Sequence, residues 1–252
     1  GKVDTSYTGP WNYNGTTYYL VSGHTNKNMN GPIKNKGYWY YVENGLVVNK
    51  NTIVYFNGDW YYIHNGKLDK DYTGLVDYNG KTYYVVDGVV NHSCNGLTYI
   101  NGEWCYIVNG VLDTGYNNLI LYNGTWYYVD HGKINWHYTN LVQYYGTWYY
   151  VENGKINWNK NTLCQVNGHG TWYYVENGQI NWHYQGLVYC NKEWYYIKNG
   201  VHQTNYSSLV LYNGTWYYVK NGKIDWCYTN LVQYHGTWYF VEKKGFLGRL
   251  FR

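Results

Sequence analysis

The sequence is poor in several residue types, and each shortage narrows the set of folds and functions. Only 2 Pro, 1 Met and 4 Phe occur among 252 residues, whereas Tyr and Trp number 38 and 14. Charged residues make up 13% of the chain and the formal net charge is +4. The lysines are spread along the chain rather than clustered, which argues against nucleic acid as a partner. No apolar run reaches the ~18–20 residues of a membrane-spanning helix, so we predict no transmembrane segment.

Cysteine, histidine and acidic residues are too scattered to predict a reactive site. The five cysteines show no CxxC motif and no spacing typical of zinc or a disulfide ladder, and the nine histidines do not cluster. No nucleophile with a neighbouring base is evident, and no pair of acids suggests glycoside chemistry. We therefore predict no catalytic residue, no metal site and no cofactor, and the chain is not expected to be an enzyme.

In place of such a site, the chain repeats one motif of about 22 residues about eleven times. The motif is plainest at residues 119–140, LILYNGTWYYVDHGKINWHYTN, and it recurs clearly from Leu141 and from Leu209. We number it from its opening apolar residue, so that Leu119 is position 1. A fixed period of this length is typical of small units that stack and bury their apolar faces on their neighbours.

The repeat also predicts the domain organisation. Residues 10–242 hold the tandem repeats, and residues 1–9 correspond to the second half of a unit. A start in mid-repeat is expected for a piece of a longer protein, with an export signal or another domain upstream. Residues 243–252, KKGFLGRLFR, leave the pattern; they are interpreted as a cap over the last repeat, or alternatively as an anchor to an anionic surface.

Each repeat predicts short strands joined by tight turns. Positions 5–6 and 13–14 are usually Asn-Gly, the strongest short hairpin signal, and the run between them is aromatic and β-branched without a helical period. The predicted fold is therefore all-β, a β-solenoid of stacked β-hairpin repeats without helices. Period-2 alternation places Trp126 and Tyr128 on one strand face, and Tyr127 and Val129 on the other.

The run GTWYYVENGKI at residues 146–156, together with YTGLV at residues 72–76, resembles the cell-wall-binding repeats of Gram-positive bacteria. These are the choline-binding and glucan-binding modules, also found as receptor-binding repeats of clostridial toxins. The shared frame, G-x-W-Y-Y-x-x-x-x-G-x-apolar followed by T-G, covers nearly the whole chain. The resemblance implies stacked hairpins whose aromatic rings form shallow cups for a sugar face or, by cation–π attraction, for a quaternary ammonium.

The sequence departs from the choline-type repeat at position 1, where Leu replaces the Trp that forms one wall of the cup. It gains Trp at position 18 and Tyr at position 20, from which a cup could be rebuilt. We predict ligand contacts from aromatic residues at positions 8, 10, 18 and 20: Trp126, Tyr128, Trp136, Tyr138, Trp148, Tyr150, Trp158, Trp172, Trp182, Tyr184, Trp216, Trp226 and Tyr228.

Each of these aromatic positions also has a structural interpretation. The rings at positions 8 and 10 would then form the stacked core of a solenoid with few aliphatic residues. The Trp at position 18 and the Tyr at position 20 are better ligand candidates, and at position 18 earlier repeats carry Lys70, His92 or Thr114 instead of Trp. The Asn or Asp at position 17 is interpreted as turn chemistry rather than a sugar contact. The Glu at position 12, as in Glu152, is interpreted as a solvated charge.

Three functions remain open at this stage. The first is a non-catalytic, multivalent module that holds a secreted bacterial protein on the cell wall, through teichoic acid or polysaccharide. The second is an adhesin or toxin-like array that binds a host protein or glycoprotein, since Tyr and Trp are also favoured at protein interfaces. The third is a passive structural spacer. The first two place the protein outside the cell, at or on a cell surface.

Overall fold

The computed structural model describes residues 1–243, and its fold is the predicted one: an all-β solenoid of stacked β-hairpin repeats. Eleven antiparallel hairpins occur within these residues. Residues 244–252, which carry nearly all of the tail KKGFLGRLFR, lie outside the described part of the chain. Both interpretations of that tail therefore stay predictions.

The strands fall into two compact units. The first unit contains Gly1–Asn117 and Asp130–Ile134. Its strands are β1 (Gly9–Tyr13), β2 (Thr16–Val21), β3 (His24–Thr25), β4 (Gly31–Asn35), β5 (Tyr38–Glu43), β6 (Leu46–Val47), β7 (Thr52–Phe56), β8 (Asp59–His64), β9 (Lys67–Leu68), β10 (Gly74–Tyr78), β11 (Lys81–Val86), β12 (Val89–Val90), β13 (Gly96–Ile100), β14 (Glu103–Val108), β15 (Val111–Leu112) and β18 (Lys133–Ile134).

The second unit contains Asn118–Val129 and the residues from Asn135 on. Its strands are β16 (Asn118–Tyr122), β17 (Thr125–Asp130, whose last residue groups with the first unit), β19 (Asn140–Tyr144), β20 (Thr147–Glu152), β21 (Lys155–Ile156), β22 (Thr162–Gln165), β23 (Trp172–Glu176), β24 (Gln179–Ile180), β25 (Gly186–Cys190), β26 (Glu193–Lys198), β27 (Val201–His202), β28 (Ser208–Tyr212), β29 (Thr215–Lys220), β30 (Lys223–Ile224), β31 (Asn230–Tyr234) and β32 (Thr237–Val241).

One repeat of the second unit illustrates why this sequence forms hairpins. Strand β19 pairs with β20, and β20 pairs in turn with the short strand β21. The two turns have positive φ at both central residues, 45° and 80° at Tyr145-Gly146 and 52° and 72° at Asn153-Gly154. Two positive φ values define the type I′ turn, whose twist matches that of the flanking strands.

Successive repeats stack through a fixed register between position 9 of one and position 15 of the next. Tyr127 is opposite Lys155 in this register, and Tyr149 is opposite Gln179. The amide of Tyr128 donates to the Gly154 carbonyl at 2.9 Å, and the Gly154 amide donates to the Tyr138 carbonyl at 3.0 Å. The second turn of each repeat is therefore the backbone joint with the repeat before it.

The core clusters between repeats are mainly aliphatic, and five of the seven within residues 1–243 also contain a buried tyrosine. One cluster contains Leu119 from one repeat with Val142, Val151 and Ile156 from the next, each at most 8% exposed. The Leu at position 1 is buried in most repeats, such as Leu119, Leu141 and Leu187, and there it cannot form the wall of a cup; Leu231 is 52% exposed. The interpretation of positions 8 and 10 as core residues therefore holds for only one of them. The ring at position 10 is buried in several repeats, such as Tyr150, whereas Trp at position 8 packs only at the edge of the clusters.

Side chains in the loop after the third strand stabilise turns. The Asn135 Oδ1 accepts from the His137 amide at 3.1 Å, and equivalent bonds recur at Asn157, Asn181 and Asp225. This confirms the interpretation of position 17 as turn chemistry. The residue at position 21 then accepts from the next repeat, as Thr139 Oγ1 does from the Asn153 amide at 3.1 Å.

The same loop geometry is present at the start of the chain. The Asp4 Oδ1 accepts from the Ser6 amide, the Tyr7 hydroxyl donates to the Pro10 carbonyl, and the Thr8 hydroxyl oxygen accepts from the Ser22 amide. These bonds support our proposal that residues 1–9 form the second half of a repeat, preceding an array over residues 10–242.

One local expectation is wrong in detail. Glu152 is not simply a solvated charge, because its carboxylate accepts from Lys160 Nζ at 2.7 Å and from Asn157 Nδ2 at 2.6 Å. These two hydrogen bonds lower the pKa of Glu152.

A three-residue 3-10 turn, Val166–Gly168, adds no helix to the fold, because its central residue Asn167 has a non-helical φ of 53°. It lies in the first hairpin turn of the repeat from Leu163, where the sequence carries two extra residues.

The first turn of the repeat from Leu187 offers a stability test. Lys192 takes the position usually held by Gly and has φ of 67°, a left-handed conformation that costs a residue with a Cβ roughly 1–2 kcal/mol. Glycine removes this strain, but its greater freedom in the unfolded chain favours the unfolded state by ~0.4–1 kcal/mol. We therefore expect Lys192→Gly to raise the free energy of unfolding, by about 0.5–1 kcal/mol, in urea titrations. Lys198→Gly, within strand β26, should be destabilising; a loss of stability in Lys192→Gly would contradict the strain argument.

Candidate functional site

The aromatic residues at positions 9 and 18 meet edge to face in four repeats. The ring centroids of Tyr127 and Trp136 are 5.8 Å apart with an interplanar angle of 84°. The other three pairs have centroid separations of 5.5–5.9 Å and angles of 74–86°: Tyr149–Trp158, Tyr173–Trp182 and Tyr217–Trp226. We call each such pair an aromatic angle. The two nearly perpendicular ring planes form two walls of a shallow site. The same candidate binding surface therefore recurs along the chain.

The tryptophan is exposed in three of the four aromatic angles. Trp136, Trp158 and Trp182 are 42%, 44% and 42% exposed, while Trp226 is partly buried. Large aromatic side chains that are half exposed at one recurring position are available to a ligand, unlike the aliphatic core behind them. The structure thus places the sequence-predicted tryptophans of position 18 together with a tyrosine each.

One aromatic angle holds a cation from the chain itself. The Lys155 Nζ is 5.5 Å from the centroid of the Tyr127 ring and 5.5 Å from that of Trp136. Both distances lie within the ~6 Å over which a ring quadrupole attracts a cation. The arrangement shows that an ammonium group fits between these two walls.

Tyrosines at positions 10 and 20 form a second, more buried set of pairs. The ring centroids of Tyr128 and Tyr138 are 3.9 Å apart and nearly parallel, and Tyr218 and Tyr228 are 3.7 Å apart. The position 20 hydroxyl donates to the carbonyl of position 1 in the next repeat, at 2.9 Å from Tyr184 to Leu187. These rings and hydroxyls tie one repeat to the next.

The repeat from Leu141 replaces this second tyrosine by lysine. Lys160 Nζ lies 5.0 Å from the centroid of the Tyr150 ring and also binds Glu152. A cation–π contact thus substitutes for a ring stack, and Tyr150 stays buried beneath it. Tyr128, Tyr138, Tyr150, Tyr184 and Tyr228 therefore lie behind the aromatic angles rather than forming their walls.

The tryptophans at position 8 lie on the opposite strand face from position 9. Trp126 packs edge to face on Tyr144 of the next repeat at 5.2 Å, and Trp216 packs on Tyr234 at 5.1 Å. Trp172 and Trp216 are exposed, while Trp126 and Trp148 are half-buried. This face therefore carries aromatic surface too, but the structure does not bring it together with Trp136, Trp158 or Trp182.

Sequence reasoning missed the position 9 tyrosines as site residues. Tyr127, Tyr149, Tyr173 and Tyr217 form one wall of each aromatic angle, although they were not among the predicted ligand contacts. The signal was available in the TWYY run, because alternation puts position 9 on the face opposite positions 8 and 10. The sequence could not show that the loop after the third strand places the position 18 Trp on the same face as the position 9 Tyr.

Comparison with known proteins identifies the family of the repeat. Nine segments of the chain match the family profile described as the choline-binding repeat: residues 28–48, 49–69, 71–91, 115–135, 138–157, 159–181, 184–203, 205–225 and 228–243. The chain belongs to the choline-binding repeat family. The coarse function of this chain is therefore that of a choline-binding-repeat module.

Two solved structures are similar to this choline-binding-repeat chain. Choline binding protein F from Streptococcus pneumoniae, solved with a peptidoglycan analogue (a tetrasaccharide-pentapeptide), is 21% identical with a TM-score of 0.32. That alignment covers 92% of this chain and 90% of the other. Alternansucrase in complex with isomaltotriose is 20% identical over 64% of this chain and 13% of its own length, with a TM-score of 0.30. No curated protein sequence matches the chain.

Within residues 1–243 of the choline-binding-repeat chain, no three His, Cys, Asp or Glu side chains converge as a metal site would require. The same residues contain no helix with the length and apolarity to cross a membrane. All five cysteines are free thiols, and burial raises the pKa of the Cys105 thiol.

The buried tyrosines predict that the choline-binding-repeat fold weakens at high pH. Burial, the main cause, raises the pKa of Tyr174 and of Tyr184 to about 12; nearby Glu176 and Tyr212 add to the shift. Unfolded tyrosine releases its proton near pH ~10, whereas the folded residues hold theirs until about pH 12. The free energy of unfolding should therefore be constant below about pH 10 and fall as pH rises towards 12.

Urea titrations at a series of alkaline pH values would measure this fall, with tyrosinate absorbance as a second readout. Tyr184→Phe removes one of the two groups and should make the decline shallower. A free energy of unfolding that stays constant from about pH 10 to 12 would show that these hydroxyls are not shielded from water.

Proposed function

We propose that the chain is a non-catalytic, multivalent module that holds an exported bacterial protein on the cell wall or on extracellular polysaccharide. The observation that carries this proposal is the recurrence of one aromatic angle, from Tyr127–Trp136 to Tyr217–Trp226, with accessible tryptophan walls. Membership of the choline-binding repeat family supports it. The proposed location is the outer cell surface.

The ligand class follows from the chemistry of the walls. Two perpendicular rings attract a cation through their π faces, and the Lys155 ammonium occupies such a place. A quaternary ammonium such as the choline of teichoic acid carries the same charge with an apolar shell. The flat faces of Trp158 and Trp182 can also stack on a sugar, so free choline separates the two ligands.

Multiplicity supplies the affinity. A cation–π contact contributes only ~0.5–2 kcal/mol, which is too little for one site to hold a protein on a wall. Linked sites raise the apparent affinity by roughly 10²–10⁴ without any new contact, provided the ligand is itself repetitive. A cell-wall polymer with many choline or sugar groups meets this condition.

We assign roles to the predicted ligand residues within this proposal. Trp136, Trp158, Trp182 and Trp226 form one wall each, with the position 9 tyrosine as the other. Rings at position 8 give a separate aromatic face for sugar: Trp126, Trp148, Trp172 and Trp216. Tyrosines at positions 10 and 20 support the walls from behind: Tyr128, Tyr138, Tyr150, Tyr184 and Tyr228.

Co-sedimentation with purified Gram-positive cell walls tests the proposal. We expect the protein to pellet with the walls, and excess free choline to release it if teichoic-acid choline is the ligand. Pelleting that choline leaves unchanged, and soluble glucan abolishes, would assign a polysaccharide. Absence of pelleting would contradict the proposal and favour a host-protein adhesin or a structural spacer. Pelleting should be repeated at raised salt, because an adventitious charge contact weakens there.

A further inference from the structure

The residue at position 15 faces the position 9 side chain of the preceding repeat, and its identity varies. Three of the lysines at position 15 face a tyrosine in this register: Lys67, Lys155 and Lys223. Their Nζ atoms lie 5.4 Å from Tyr40, 5.5 Å from Tyr127 and 5.0 Å from Tyr195, measured to the ring centroids. In each case the ammonium is within cation–π distance of the ring.

A fourth lysine at the same position shows what happens without a ring. Lys133 faces Cys105, and its Nζ donates to the Glu103 carboxylate. The backbone register is the same at Lys133 and Lys155. The aromatic partner therefore distinguishes a lysine that lies over a ring from one that pairs with an acid alone.

Lys155 is distinctive because the preceding repeat, which it faces, carries a complete aromatic angle, Tyr127–Trp136. Its Nζ is equidistant, at 5.5 Å, from Tyr127 and Trp136, so it stands where an external cation would contact both walls. A second cation in the same place would meet charge repulsion as well as the lysine side chain itself. Without displacement of the lysine, this site is filled.

The next two aromatic angles face neutral residues. Tyr149 of the Tyr149–Trp158 pair is opposite Gln179, and Tyr173 of the Tyr173–Trp182 pair is opposite Val201. The tryptophans of these two pairs are as exposed as Trp136. Ring geometry and exposure are thus matched across the three pairs, and the difference lies in position 15.

We propose that position 15 determines which aromatic angles accept an external cation. Lys155 is an internal ligand that closes the Tyr127–Trp136 pair, whereas the Tyr149–Trp158 and Tyr173–Trp182 pairs are open to a quaternary ammonium. The statement that the Tyr149–Trp158 and Tyr173–Trp182 pairs bind an external cation, the open half of the inference, rests on the proposed function. The statement that Lys155 occupies the Tyr127–Trp136 pair does not. A drifting repeat could therefore gain or lose a binding site by one substitution that leaves both aromatic walls in place.

The test uses the full chain and reads each tryptophan separately. Indole N–H signals of Trp136, Trp158 and Trp182 would be assigned by Trp→Phe substitution and followed in two-dimensional nitrogen–proton spectra during titration with choline chloride. Potassium chloride at the same ionic strength is the reference. We expect choline to shift the Trp158 and Trp182 signals and to leave the Trp136 signal in place.

Three variants then move the pattern in defined directions. Lys155→Gln introduces the residue found at the equivalent place in the next repeat, Gln179. It should add Trp136 to the indole signals that respond to choline. Gln179→Lys should remove Trp158 from them. Lys133→Gln changes the same position without an aromatic partner and should alter none of the three. A Trp136 signal that responds to choline in the unaltered chain as Trp158 does would overturn the inference while leaving the proposed function intact.

A ligand-free measurement separates failure of the inference from failure of the function. The ε-methylene protons of Lys155 should resonate upfield of the random-coil position because they lie over two rings, and Trp136→Leu should move them back. If choline shifts no indole in any variant, the choline function and the open half of the inference both fall. The Lys155 shift then decides whether the internal ligand exists, and a random-coil position would refute it.

Discussion

Gly154→Ala is expected to lower the free energy of unfolding by about 3 kcal/mol. Gly154 has φ of 72°, where a Cβ costs roughly 1–2 kcal/mol, offset by ~0.4–1 kcal/mol of lost unfolded-state entropy. A Cβ here would also lie 2.6 Å from the Asn135 carbonyl oxygen and 3.1 Å from the Trp136 Cα. Relief of that clash displaces the joint with the preceding repeat, where two backbone hydrogen bonds contribute about 1 kcal/mol each.

Gly124→Ala is the matched control, because it makes the same change in the first turn of a repeat. Gly124 has φ of 76°, but a Cβ there would have no heavy atom within 4 Å. Only the strain remains, so we expect a loss of about 1 kcal/mol. Urea titrations of the two variants measure the difference. Equal losses would show that close approach between repeats contributes nothing and that φ alone requires glycine.

The two turns therefore tolerate sequence change differently. The first turn holds Lys192 in place of glycine, whereas the first central residue varies in both turns, with Tyr145 and His235 in the first turn and Ser22 and His131 in the second. The second turn has glycine in each of the ten repeats that show it within residues 1–243: Gly23, Gly45, Gly66, Gly88, Gly110, Gly132, Gly154, Gly178, Gly200 and Gly222. Glycine can therefore be replaced in the first turn, which faces solvent, but is retained in the second turn, which contacts the previous repeat.

The fold was predictable from the sequence because its strongest signals are local. Asn-Gly pairs report positive φ directly, and the run from Thr147 to Glu152 reports a strand. The aliphatic core was harder to foresee, since aromatic residues far outnumber aliphatic ones. Only the register between repeats shows that Leu119, Val151 and Ile156 meet in one cluster.

The sequence predicted the tryptophans of the candidate site but not their tyrosine partners. Exposure of Trp136, Trp158 and Trp182 agrees with their selection as ligand candidates, but their tyrosine partners come from strand pairing and loop return. The Lys155 contact joins residues on neighbouring repeats, 28 positions from Tyr127 along the printed sequence. No spacing rule within one repeat identifies such a contact.

The double variant Trp158→Ala, Trp182→Ala is expected to weaken cell-wall binding by at least roughly 100-fold. These substitutions remove one wall from each of the two aromatic angles that face a neutral position 15. Because linked weak sites multiply their affinities, loss of two sites removes much of an avidity gain of ~10²–10⁴. Binding isotherms on purified cell walls would measure the loss.

Each single substitution, Trp158→Ala or Trp182→Ala, should lower the free energy of unfolding by no more than roughly 1.5 kcal/mol, which separates a binding role from a structural one. Both tryptophans are nearly half exposed, and each edge-to-face contact with its tyrosine contributes roughly 0.5–1.5 kcal/mol. Trp136→Ala is the matched control: it removes an equally exposed ring with the same contact, but from the angle that Lys155 fills, so binding should persist. A loss of unfolding free energy as large as that of Gly154→Ala from either single substitution would make that tryptophan structural. Equal binding losses from Trp136→Ala and Trp158→Ala would instead show that ligand reaches all three angles, and that Lys155 moves aside to admit it.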